Sequence, residues 1–215
     1  MCDFNFSNYD ETEHCHRFAV WAATRSAQRG LLGFDSEMGQ KVIEASGLYE
    51  HLTDRWNQLP VAYGEFKIWH KKKREQIINE FAEEINEELV SRSELTHGRA
   101  AKLINVYMKA SFSEISDTVK KVIHPPVDRQ LLENVKRAII DRRNEKDSID
   151  NERIVLEAIL LPPIPNGHRL FNKTNKVKNW TELNSDDYEA IINAFHDLTD
   201  DEDLWKIEMF WPEHQ

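Results

Sequence analysis

Residues Ile77, Ile78, Phe81, Ala82, Ile85 and Leu89 fall three and four positions apart, and the same interval returns along most of the chain. Such spacing lines up side chains on one face of an α-helix, whereas a half-buried strand needs alternation at two. The expected fold class is therefore all-α, a two-layer helical protein. The strongest stripe predicts a helix over 75–91 with glutamates on its outer side. A second stripe, Ala100, Leu103, Ile104, Tyr107 and Met108, predicts a helix over 97–112, with Lys102 and Lys109 on a different face. Leu131, Leu132, Val135, Ala138 and Ile139 predict one over 128–141, and Tyr188, Ile191, Ile192, Phe195 and Leu198 another over 185–198.

The remaining boundaries follow from caps. The first helix is expected over 12–29, with Phe18, Trp21 and Ala22 on a common face, and should stop near Gly30. "SEMGQKVIEASG" should open at Asp35 or Ser36, whose side chains can accept from exposed helix amides, and close at Gly47, which tolerates the left-handed conformation. "DRRNEKDSIDNER" reads as a charged linker and "LLPPIPNGH" as an irregular crossing. The tail "DLWKIEMFWPEHQ" is too aromatic to be left in water and should dock on the body. One compact domain over 1–215 is expected, with 12–60 plus 150–215 and 75–141 as alternative subdomains and a cleft between them.

Charge narrows the function classes. The formal net charge of −10 argues against coating nucleic acid by bulk electrostatics. The distribution is uneven, however: residues 186–203 hold eight acids and no Lys or Arg, whereas 120–146 hold eight bases against four acids. One basic face on an acidic molecule is compatible with a nucleic-acid partner, and the acidic segment with a protein partner. No apolar run is long enough to span a bilayer, and "MCDFNFSNYDETEHCH" lacks the layout of a secretory signal, so a cytoplasmic protein is expected. Cys2 and Cys15 read as free thiols.

The chemistry-bearing candidates begin with Lys102 and Asp128. A lysine attacks carbon only as the neutral amine, which burial or neighbouring cations favour. An aspartate at a helix N-terminus, here after the extended Pro125-Pro126 approach, has a defined orientation and a stabilised charge. On spacing alone the commoner roles are a solvated lysine and an ordinary cap. The order "AKLINVYMK", a connection, then "PPVDRQLL" resembles helix–hairpin–helix DNA glycosylases, above all the 8-oxoguanine glycosylase/lyase branch in its compact archaeal form. The likeness covers roughly residues 85–140. It implies a base-excision repair enzyme in which Lys102 attacks the sugar C1′ as the damaged base leaves and Asp128 assists the departure, with Pro126 and Val127 shaping the turn. It also implies DNA as partner and no cofactor. Where that family's hairpin is flanked by glycines, "SRSELTHGRAA" offers Gly98 alone.

Arg99, Arg129 and the run "FKIWHKKKRE", with Lys67, Lys71, Lys72, Lys73 and Arg74, are the candidate phosphate contacts. The run is otherwise a solvated helix start. Arg17, Arg25 and Arg29 with Trp21 form a possible basic and aromatic patch, against the commoner arrangement of a core tryptophan and ion-paired arginines. Trp21, Tyr63 or Trp69 are candidates to stack on an extruded base. His14, Cys15 and His16 point about 100° apart on a helix and cannot share one metal ion, and no metal, dinucleotide, P-loop or serine-hydrolase motif occurs. The rival expectation is a non-catalytic nucleic-acid-binding or protein-interaction protein on the same scaffold, for example in a bacterial defence system.

Overall fold

The computed structural model describes residues 9–85, 94–145, 179–199 and 203–211, with the backbone alone over 139–145. The protein is all-α: every regular element among the described residues is helical. The charged linker and the irregular crossing expected between 141 and 169 lie mostly outside these residues. The chain forms two compact units, one of residues Met1–Leu95 and Ala100–Val119, the other of Thr96–Arg99 and Lys120–Gln215.

In the first unit, α1 (Glu11–Ala27) is opened by Asp10, whose carboxylate accepts from the Glu13 amide at 2.8 Å. Its buried stripe is His16, Ala19, Val20, Ala23, Thr24 and Ala27. Phe18 and Trp21 share a face as expected, 6.1 Å apart, but it is the outer one: they are 54% and 55% exposed, so Trp21 is not a core residue. The small residues explain the difference. They let α2 (Ser36–Ala45) approach so closely that a methyl at Gly39 would meet Thr24 Oγ1 at 1.9 Å. Asp35 caps α2, and Gly47 follows it at φ 73°, as the sequence predicts. α3 (Leu48–Thr53) comes next.

Arg55 and Trp56 then take consecutive left-handed conformations at φ 50° and 59°. Such a conformation costs a non-glycine residue about 1–2 kcal/mol. Complete burial of the Trp56 indole, with Nε1–H donating to Ser111 Oγ at 3.1 Å, offsets that cost.

α4 (Tyr63–Glu84) starts twelve residues before the predicted 75 and stops before 91, because Ile85 is extended. Its buried stripe is Phe66, His70, Arg74, Ile77 and Phe81, and the polar members hide it from a search for apolar periodicity. Ala82 is exposed, Ile78 half-buried and Leu89 outside the described residues. α5 (His97–Ala110) buries Ala100, Leu103, Ile104, Tyr107 and Met108 completely, as predicted. Its polar members find partners too: Tyr107 hydroxyl meets His16 Nδ1 at 2.8 Å, and Asn105 Oδ1 accepts from His70 Nε2–H at 2.9 Å. Buried polar groups of this kind are tolerated because they are hydrogen-bonded. A short α6 (Asp117–Lys120) follows.

In the second unit, residues 96–99 are knitted to a 3-10 turn at Trp180–Glu182 and to Leu183. Thr96 Oγ1 donates to the Thr181 carbonyl at 2.9 Å, and the Gly98 amide to the Leu183 carbonyl at 3.0 Å. α7 (Arg129–Glu145) buries Leu131, Leu132 and Val135; Ala138 is half-buried, and the Ile139 side chain lies outside the described residues. α8 (Ser185–Thr199) turns Tyr188, Ile191, Ile192 and Phe195 inward. Asn184 and Asp187 open it reciprocally: the Asp187 amide donates to Asn184 Oδ1 at 2.8 Å and the Asn184 amide to Asp187 Oδ2 at 3.2 Å. The tail docks within this unit as a 3-10 helix, Leu204–Phe210, burying Leu204 and Ile207.

Candidate functional site

Asp128 sits where the sequence places it, as the N-cap of α7. Its Oδ1 accepts from the Leu131 amide at 2.9 Å and from Trp211 Nε1–H at 3.2 Å. The approach is buried throughout Val122–Val127, both prolines included. C-terminal residues fasten this approach at three points. The Leu204 amide donates to the Lys121 carbonyl at 3.0 Å, His124 Nδ1 meets the Tyr188 hydroxyl at 3.1 Å, and Trp211 reaches Asp128. Two N–H donors from different elements converge on one oxygen and restrict how the carboxylate can turn. His124, Tyr188 and Trp211 are the residues sequence reasoning missed; the His before the Pro-Pro pair and the tryptophan-rich tail were the visible signals.

Lys102 is half-buried on α5, flanked by fully buried Ala101 and Leu103 and turned away from the apolar stripe as expected. It belongs to the first unit and Asp128 to the second.

The expected phosphate contacts divide sharply. Arg99 is only 8% exposed and lies over the Trp180 ring at 5.7 Å, its guanidinium held below its ordinary range by burial. That position offers little surface to a phosphate. Arg129 is exposed and pairs with Glu133 at 2.7 Å, a contact worth little in water. The 67–74 run is not a solvated helix start, because it lies inside α4 and most of it turns inward or onto neighbours. Arg74 is fully buried, Lys67 lies 5.7 Å from the Tyr63 ring, and Lys73 donates to the Ser46 carbonyl that closes α2. Burial lowers the Lys73 pKa. Lys71 is half-buried and Lys72 exposed. Arg25 and Arg29 are exposed, and Arg17 pairs with Glu13 while lying over Tyr9.

Of the aromatic candidates, Trp69 packs against Phe66 and His51, Tyr63 lies under Lys67, and Trp21 faces solvent. Trp21 edges a groove of about 340 Å³ between α1 and α2. Phe18, 6.1 Å from it, borders a second groove of about 450 Å³ that also receives Cys15, Arg55 and Glu114. Burial, then Glu114 and Glu11, push the Cys15 thiol up, which disfavours a thiolate nucleophile there. Among the described residues no three His, Cys, Asp or Glu side chains gather to hold a metal, and no helix is long and apolar enough to cross a membrane.

No family model, curated protein or solved structure matches the chain.

Proposed function

We propose that the chain acts on DNA as a glycosylase of the lysine–aspartate type, excising an oxidised or otherwise modified base. In this reading the target nucleotide is extruded from the duplex, since a stacked base is out of reach. The Lys102 amine bonds to C1′ as the bond from C1′ to the base breaks, the departing base takes the electron pair and a proton, and the amine releases one. The Asp128 carboxylate stabilises the positive charge that develops on the sugar. The observation that carries the reading is the Asp128 carboxylate, held in one orientation at a helix head by Leu131 and Trp211. An exposed cap needs no tryptophan reaching it from 83 residues away.

The test is borohydride trapping on duplexes carrying 8-oxoguanine, uracil or an abasic site, with Lys102→Gln as comparison. A covalent adduct lost in the variant is the expected result. Absence of both adduct and base release from the folded wild-type protein would reject the proposal.

A second reading, a non-catalytic binding protein, draws on a different observation: the exposed Phe18 and Trp21 pair on α1. Large exposed aromatics side by side favour a partner surface. DNA binding that weakens with salt without base release would favour nucleic acid as that partner.

A further inference from the structure

We infer that Trp211 is a positioning residue for Asp128, so that the C-terminal 3-10 segment forms part of the functional apparatus; the inference rests on the lysine–aspartate reading above. A helix cap alone is a weak constraint on a carboxylate. One bond to the Leu131 amide satisfies a helix donor yet leaves the group able to turn about its side-chain bonds. The indole N–H supplies a second donor to the same Oδ1, from a different direction and a different element.

That donor is itself held in place. The Trp211 amide donates to the Glu208 carbonyl at 2.8 Å, Leu204 and Ile207 anchor the 3-10 turn in the core, and Leu204 is bonded to Lys121, where the run leading to Asp128 begins. The tail therefore grips both ends of the 121–128 run, and Tyr188 grips its middle through His124. A fixed N–H aimed at an anion costs no reorganisation when charge develops nearby, which is how preorganised dipoles assist reactions. Trp211 touches Asp128 and acts through it.

The test is a double-mutant cycle on the full chain: wild type, Trp211→Phe, Asp128→Ala and the double variant. The readout is the single-turnover rate of adduct formation on whichever of the 8-oxoguanine, uracil and abasic duplexes traps the wild type. Trp211→Phe is expected to slow the step about tenfold, the scale of one charge-assisted hydrogen bond, with DNA affinity unchanged. In the Asp128→Ala background, where the acceptor is gone, the same change should cost nothing more. Should Trp211→Phe unfold, benzothienylalanine at position 211 keeps the ring shape and removes only the donor.

Equal losses in both backgrounds, or no loss in the wild-type background, would overturn the role of Trp211 while leaving the glycosylase reading intact. A folded wild-type protein that forms no adduct and releases no base overturns both.

Discussion

Replacing Gly98 with alanine tests how the head of α5 is held. An added methyl would lie 2.0 Å from the Trp180 carbonyl oxygen and 3.0 Å from Leu183 Cβ. The helix cannot simply retreat, because the Gly98 amide donates to the Leu183 carbonyl at 3.0 Å. Overpacking of this kind costs about 1–3 kcal/mol, and a lost backbone hydrogen bond about 1 kcal/mol. Alanine's better helix propensity returns at most about 1 kcal/mol. The net loss is about 2 kcal/mol, which in a chain of this size lowers the melting temperature by about 4–8 °C. Gly64 supplies the control, since a methyl there meets nothing within 4 Å in the first turn of α4. Gly64→Ala should be neutral or slightly stabilising. Urea unfolding followed by far-ultraviolet circular dichroism separates the two through their midpoints at constant slope. A Gly98→Ala midpoint at or above the wild-type value would refute the close approach of Trp180 to this helix.

Acidification should weaken the protein through His70, which burial and then the neighbouring Arg74 keep neutral well below the usual histidine range despite the Asn105 hydrogen bond. The unfolded chain takes up that proton near pH 6.5, so the stability is complete above that value and declines below it, by up to about 1.4 kcal/mol per pH unit. His51 is shifted the same way by burial and Lys73; urea midpoints between pH 7.5 and 5 should show the decline, with a shallower slope in His70→Gln. In a Cys2→Ser background, Cys15 should react with a thiol reagent at pH 8 more slowly than free cysteine and faster after Glu114→Gln, in line with its raised pKa; fast, Glu114-independent labelling would contradict that environment. Phe18→Ser with Trp21→Ser should change stability by no more than about 1 kcal/mol, as expected of two exposed sites; a larger loss in the urea midpoint would mean that the pair is covered.

Periodicity revealed the helices whose buried faces are apolar. α5 and the start of α7 bury the residues that spacing assigned, α8 does so except for the half-buried Leu198, and Asp35, Gly47 and Asp128 punctuate the chain where their chemistry predicts. Failure came where the interior is polar or unusually small. α4 runs inward through His70 and Arg74, so half of its length looked like a solvated basic patch. α1 turns alanines, Thr24 and His16 inward, leaving its largest apolar side chains outside. The cap at Asp128 was legible from the preceding prolines, but its bond to Trp211 spans 83 positions and no local pattern announces it. For the same reason Arg99 looked like a phosphate ligand: nothing nearby in the sequence shows that Trp180 covers it.

The order of synthesis gives the Trp211 contact a kinetic meaning. Asp128 leaves the ribosome well before its indole partner, and at about 5–20 residues per second the intervening 83 residues take roughly 4–17 s to make. Over that interval the growing chain holds Lys102 and Asp128 but not the donor that orients the carboxylate. The fastening of the 121–128 run thus has to wait for the segment that carries Leu204 and Trp211. A translation arrest before residue 204 would hold a chain in which the aspartate is present and its tether is not.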